Sequence, residues 1–354
     1  MLFTPLELGS ISLRNRLVMA PLTRIRAGAD DGVPGDLLVE YYRQRASMGL
    51  IVTEGTWPVR EGRTWIGQPG IETAEQVAGW RRVTDAVHEA GGKIIMQIMH
   101  GGRISHPEVG GTGRTVAPSA IAAPGEIRIH NGKADLPVPH ELTRSEIASV
   151  VEGFAAAARN AVAAGMDGVE VHGANGYLVH QFLSPASNLR TDEYSDRPRF
   201  AIEVVTAVAA AIGADRTGVR LSPEHNIQGA LETDPADVLT TYLSLAEGLN
   251  GHLAFADLLH AEPGGELVQK LRHALGVPAI VNTGFGKTTT REEAAQLLAD
   301  GVGDAVAVGR AAIANPDLAE RWRRDTHENT PDPATFYVGG ATGYTDYPTL
   351  KELA

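Results

Sequence analysis

Apolar residues along this chain come in short, nearly unbroken runs separated by longer stretches of mixed character. Eight runs stand out: "RLVMAP" from 16, "LIVTEGT" from 50, "KIIMQIMH" from 93, "GVEVHG" from 168, "TGVRLSP" from 217, "LAFADLLHA" from 253, "AIVNTG" from 279 and "DAVAVGR" from 304. Runs this short and this continuously apolar predict strands buried on both faces, as in a parallel sheet. Helical patterns with legible starts lie between most of them. In "TAEQVAGWRRVTDAVHEAGG", Thr73 and Gln76 form a capping box, Val77, Trp80, Val83 and Val87 share a face, and Gly91 ends the run. Thr143 with Glu146, and Thr290 with Glu293, repeat that start, and Asp234 followed by Pro235 opens another helix.

Eight strand-helix units predict a closed (β/α)8 barrel spanning residues 1–354 as a single domain. An open doubly wound sheet fits less well, because no G-x-G-x-x-G turn follows the first strand. The stretch from 101 to 142 is too long for an ordinary loop and reads as a lid between strand 3 and helix 3. Within it, "GEIRIHNGKADLPVP" predicts a hairpin turning at Asn131-Gly132. A second small hairpin in "LELGSISLRN" is placed to plug the N-terminal mouth of the barrel. The tail beyond residue 325, rich in Pro, Gly and Tyr, is expected to drape over the surface.

Composition narrows the chemistry. With 354 residues, 43% of them hydrophobic, the chain can bury a large core. A net charge of -12, with Lys and Arg scattered, gives no footprint for nucleic acid. No apolar run reaches membrane-spanning length and no secretory signal is legible, so a cytoplasmic location is expected. The chain has no cysteine, which removes disulfides, thiolate metal sites, thiol nucleophiles and cysteine-ligated iron-sulfur clusters. Redox chemistry would then need a bound organic cofactor or a metal held by other ligands. No pair of histidines has convincing metal spacing with a carboxylate, so no metal is expected.

Barrel enzymes keep their sites at the C-terminal ends of the strands, and the polar residues predicted there are unusual. They are Thr23, Glu54, Gln97, the trio His172, Asn175 and Tyr177, and Arg220. Gly284 with Phe285 follows strand 7, and Gly309 with Arg310 ends strand 8, the recurring phosphate cradle of barrels. Taken singly, each has an ordinary explanation as a satisfied buried polar group or a tight turn. Together they favour a polar, phosphate-bearing ligand. Glu54 is read as a carboxylate paired with an arginine, and His100, His106, His225 and His260 receive no role.

The motifs "APLTR" at 20–24, "TEGT" at 53–56, "QIMHGGR" at 97–103, "HGANGYLVHQFL" at 172–183, "RLSP" at 220–223, "GRAAIANPDL" at 309–318 and "GYTDYP" at 343–348 occur in an order that resembles the old yellow enzyme family. These are FMN-dependent ene-reductases, and the resemblance is to the branch of bacterial N-ethylmaleimide, nitrate-ester and morphinone reductases. It implies a tightly bound, non-covalent FMN, reduced by NADPH or NADH and reoxidised by an activated alkene. On that resemblance, Gln97 meets the flavin pyrimidine edge, Arg220 lies near N1 and O2, and Thr23 lies near O4 and N5. Pro21 and Gly55 would line the ring, with Gly284, Phe285, Gly309 and Arg310 toward the phosphate. His172 and Asn175 would hold the substrate oxygen and Tyr177 would protonate Cα, its pKa unperturbed near ~10. Trp65, Met99 and Tyr337 would line the substrate side. Met99 stands where the family often has tryptophan, and Trp65 where bacterial relatives commonly place tyrosine, so substrate range is the open quantity. Two other readings remain at this point: a phosphate-binding barrel of lyase or isomerase type, for which no strand-end lysine is found, and a non-catalytic ligand-binding barrel. Either a monomer or a homodimer is compatible with the sequence.

Overall fold

The computed structural model describes residues 1–352. Eight parallel strands close into a barrel in chain order: β1 (Leu17–Met19), β2 (Leu50–Val52), β3 (Ile94–Ile98), β4 (Gly168–Gly173), β5 (Thr217–Leu221), β6 (Phe255–Leu259), β7 (Ala279–Asn282) and β8 (Ala305–Val308), with β8 pairing back onto β1. Each expected run supplied one of these strands. Helices α1 (Asp36–Gln44), α2 (Ala74–Glu89), α3 (Arg144–Ala163), α4 (Pro198–Ile212), α5 (Pro235–Gly248), α6 (Glu266–Leu275), α7 (Arg291–Ala299) and α8 (Leu318–Arg324) follow the strands. The capping boxes at Thr73 and Thr143 are complete, and the Asp234 side chain caps α5. At α7 only half the box forms: Thr290 accepts from Glu293 N, while the Glu293 carboxylate turns to Lys287 at 2.6 Å. Among the described residues, no helix is long and apolar enough to cross a membrane.

Strand alternation sorts the side chains into two sets. One set, including Met19, Ile51, Met96, Val169, Val171, Val219, Leu258, Val281 and Val306, packs outward in the main core cluster with the helices. The other points into the barrel, where its lowest tier is apolar: Val18, Leu50, Ile95, Phe255, Ile280 and Ala305 pack on the N-terminal hairpin through Leu8, Ile11 and Leu13. That hairpin pairs Leu6–Leu8 with Ile11–Leu13 and forms the floor. Packing there is tight enough to require glycine, since a Cβ on Gly218 would lie 2.1 Å from the Phe255 ring. Two residues further along, the inward positions of β3 to β6 become polar, Gln97, Glu170, Arg220 and Asp257, while those of β1, β2 and β8 stay apolar as Ala20, Val52 and Ala307. The two-residue period therefore carries the chain from a dry floor to a polar tier beneath the open end.

The 101–142 excursion contains the expected hairpin, Glu126–Ile129 paired with Gly132–Asp135. Its two loop residues are His130 and Asn131, one position earlier than the expected Asn131-Gly132, because Gly132 (φ 118°) already pairs with Ile129 while taking the conformation that side chains resist. Ile127 and Leu136 turn inward onto Met99, Ile104 and Tyr177. The tail departs from expectation, because it does not merely drape. Tyr344 is fully buried and stacks on Tyr41 with ring centroids 4.0 Å apart. The guanidinium of Arg24 donates to the carbonyls of Phe336 and Gly343, and that of Arg26 to the carbonyls of Thr335, Phe336 and Gly340. Two arginines just after β1 thus clamp the tail over the top of the barrel.

Candidate active site

A cavity of about 850 Å³ opens at the C-terminal ends of the strands. Its base is the polar tier. Across the parallel pairs, Gln97 is in register with Glu170, His172 with Arg220, and Arg220 with Asp257, so β3 to β6 present a continuous polar belt. Gln97 Nε2 donates to Glu170 Oε1 at 2.8 Å, and the Arg220 guanidinium donates to the Asp257 carboxylate. Arg220 Nε is buried with no partner in the protein. Leaving such a donor unpaired is costly, so this position suits a polar ligand.

The loop after β4 carries the second group. His172 ends the strand, Asn175 sits in the left-handed region (φ 58°), and Tyr177 precedes a short helix, Leu178–Leu183. The turn is held through the backbone groups of Asn175 and Gly176. Asn175 N donates to Ser222 Oγ at 2.9 Å, and its carbonyl accepts from Gln228 Nε2 at 2.7 Å. Gly176 N donates to His180 Nδ1 at 2.9 Å, and its carbonyl accepts from Gln181 Nε2 at 2.8 Å. Such support lets an asparagine hold a conformation that most residues avoid. His172 Nδ1 and Asn175 Oδ1 are buried without partners. The Tyr177 ring lies 5.1 Å from the His172 ring and meets Trp65 edge-on at 6.0 Å.

Burial, reinforced by the charge of Arg220, pushes the His172 pKa well below its ordinary value, so its imidazole is neutral at pH 7. Burial also raises the Tyr177 phenol, which corrects the expectation of an unperturbed group. The consequence for an acid role is favourable, since the phenol stays protonated.

On the opposite side, Gly284 (φ 88°), Phe285, Gly309 and Arg310 line the cavity beyond β7 and β8. Gly284 N donates to Asn282 Oδ1 at 3.0 Å, and Arg310 donates to the Phe285 carbonyl at 2.9 Å. Pro21, Thr23, Trp65, Met99 and Tyr337 complete the walls. Of the residues expected at the site, Gly55 alone is not on the cavity wall. A Cβ there would lie 2.7 Å from Met99 Sδ, so Gly55 makes room for Met99. Glu54 also differs from expectation: it accepts from the backbone amides of Arg24 (3.0 Å) and Ile25 (2.9 Å), not from a guanidinium.

Several wall residues were not expected at the site, among them Gln228, from a loop, Asn282, at the end of β7, and Ile127 and Leu136, which arrive with the lid. Only the alternation of the lid hairpin signalled that one of its faces was apolar.

The donor set fits a flavin mononucleotide. A carboxamide suits the alternating donor and acceptor edge of a pyrimidine ring, an unsatisfied guanidinium suits its electron-rich side, and glycine amides with Arg310 suit a phosphate. The volume leaves room for a second planar molecule beside it.

Comparison with known proteins agrees. The sequence profile of the NADH:flavin oxidoreductase / NADH oxidase family matches residues 1–329. A probable flavin mononucleotide-dependent alkene reductase from Leishmania infantum is 46% identical over 359 residues, covering 98% of this chain and 96% of that protein. Among solved structures, the old yellow enzyme homologue from Zymomonas mobilis superposes with a TM-score of 0.92 at 39% identity, covering 99% of both chains. Morphinone reductase in complex with tetrahydroNAD gives a TM-score of 0.92 at 42% identity, covering 99% of this chain and 97% of that one.

Proposed function

Since the chain belongs to the NADH:flavin oxidoreductase / NADH oxidase family and is an FMN-dependent alkene reductase of the old yellow enzyme type, we propose that the cavity above Gln97 and Arg220 is where FMN binds and that His172, Asn175 and Tyr177 act on the alkene. The chemistry FMN supplies there is hydride transfer, accepted from NADPH or NADH and given to the β-carbon of the alkene. Gln97 and Arg220 hold the ring, with Thr23 and Pro21 along it, and Gly284, Phe285, Gly309 and Arg310 hold the phosphate end. The permanent cation of Arg220 favours the added negative charge of the reduced ring.

His172 and Asn175 bind the carbonyl or nitro oxygen conjugated to the double bond. They hold it more strongly as it gains charge, which directs their binding energy to the transition state. A neutral imidazole can donate one hydrogen bond without bringing a fixed charge into the site. Tyr177 then gives its proton to Cα, so that one hydride and one proton add across the C=C bond and one nicotinamide is oxidised. Substrates of this shape are enones, enals, maleimides and nitroalkenes, selected by Met99, Trp65, Tyr337 and the inner face of the lid.

The observation that carries this reading is His172 Nδ1, a buried ring nitrogen with no partner in the protein, beside a phenol that burial keeps protonated; Asn175 would offer its Nδ2 donor to the same oxygen. The test is to measure the two half-reactions separately in Tyr177→Phe. Flavin reduction by the nicotinamide should be unchanged, while the alkene step slows by roughly 10² or more. Equal slowing of both steps would remove Tyr177 from the proton-donor role.

A further inference from the structure

Beneath the ring site the barrel holds two carboxyl groups that the reaction as described does not use. Glu170 on β4 and Asp257 on β6 project inward from the strands flanking Arg220 on β5, and both are fully buried. Each has one oxygen committed: Glu170 Oε1 accepts from Gln97 Nε2 at 2.8 Å, and Asp257 Oδ2 accepts from the Arg220 guanidinium. The other oxygens, Glu170 Oε2 and Asp257 Oδ1, are buried with no hydrogen-bond partner, and the two carboxyl groups are near enough for the charge of Asp257 to act on Glu170.

An ionised carboxylate can only accept, so a hydrogen bond between two carboxyl groups needs one proton. Charge accounting reaches the same point. A single guanidinium balances a single carboxylate, and a second buried negative charge without a counterion is strongly disfavoured. Geometry decides which group holds the proton. Asp257 faces the cation and keeps its charge, while Glu170 faces a neutral carboxamide. Burial and the neighbouring Asp257 both push the Glu170 carboxyl above the ordinary range.

We propose that Glu170 and Asp257 share one proton and act as positioning residues for the cofactor ring. The protonated Glu170 donates to Asp257 and accepts from Gln97, which fixes the carboxamide with its remaining donor and acceptor toward the cavity. The ionised Asp257 holds the guanidinium of Arg220 and balances its charge once. This role rests on the assignment of Gln97 and Arg220 to the FMN ring.

The test uses the full-length holoprotein with carboxyl-labelled glutamate. At neutral pH its infrared spectrum should contain a protonated-carboxyl band that shifts with the label and is lost in Glu170→Gln; any contribution from the other buried glutamates, Glu54 and Glu232, is common to both spectra. Glutamine reproduces both hydrogen bonds of the protonated acid, so Glu170→Gln should change the affinity for oxidised and for reduced FMN by less than about twofold. Glu170→Leu removes the anchor of Gln97 and should weaken FMN binding about tenfold. Asp257→Asn leaves Arg220 unbalanced and should shift the ratio of the two affinities toward reduced FMN by about tenfold, about 30 mV for a two-electron couple.

Two results overturn the shared proton: a labelled band unchanged in Glu170→Gln, or a tenfold shift of the affinity ratio in that variant, as loss of a charge would give. Should Asp257→Asn fail to fold, Glu170→Gln decides alone. If the band is lost as expected but Gln97→Ala binds FMN like the wild type, the fault lies in the ring assignment, and the positioning role falls with it.

Discussion

His172 and Tyr177 lie five positions apart, and burial moves their pKa values in opposite directions to the same end: both stay neutral at pH 7. The proposed oxygen-binding site is therefore built from neutral groups, and on that proposal a preference for a charged ligand comes from hydrogen bonding. Phenols, whose ionised oxygen resembles that of an enolate, test this directly. His172→Ala and Asn175→Ala should each weaken phenol binding by about tenfold or more, as expected for a hydrogen bond to a charged group, and unchanged titrations in both variants would refute the assignment. This trio was legible in the sequence because three chemically distinct side chains crowd one loop beside two glycines. Gly55 was not legible. The reason for its missing side chain is Met99, just beyond the neighbouring strand, and a contact so distant in sequence leaves no local mark. Glu54 misled for a related reason: charge suggested an ionic partner, and the fold supplied backbone amides.

Among the elements, the lid hairpin places Ile127 and Leu136 over Met99 and Tyr177 and depends on a turn that only Gly132 makes without strain. Gly132→Val should cost about 1–3 kcal/mol locally and loosen this cover. The expected signature is a raised KM for bulky alkenes with unchanged FMN affinity, read from steady-state kinetics and flavin titration; a loss of FMN would show that the hairpin supports the ring site as well. Local signals of this kind, such as turns, capping boxes and apolar runs, were readable because their causes lie within a few residues. The tail was not, since Tyr344 is buried by Tyr41 and by arginines about 320 positions earlier in the chain.

At the scale of the whole molecule, the barrel was legible from its count of buried strands, and the acidic half of its polar tier was hidden by the same pattern. In "GVEVHG" and "FADLL" a single acid inside an apolar run looks like an exception. Only register across the sheet shows that Glu170 and Asp257 stand beside Arg220 and Gln97. Burial of ionisable groups also makes the fold acid-sensitive. Burial lowers His100 to about 3, and His172 is held well below its ordinary value. The unfolded chain takes up these protons first, so stability is lost as pH falls below about 6.5, by up to about 1.4 kcal/mol per pH unit for each histidine, continuing toward pH 3 for His100. Denaturant titrations at pH 7.5 and 5 should show this loss, and His100→Gln should reduce it; a slope unchanged in that variant would exclude His100 as a source. The closed apolar floor has one more consequence, in time. A vessel sealed at the bottom is entered from the other end, so at the proposed site coenzyme and alkene would take turns, each obstructing the other while it stays. Throughput then depends on clearance of the spent molecule as well as on the chemistry, and an excess of either reactant should jam the traffic.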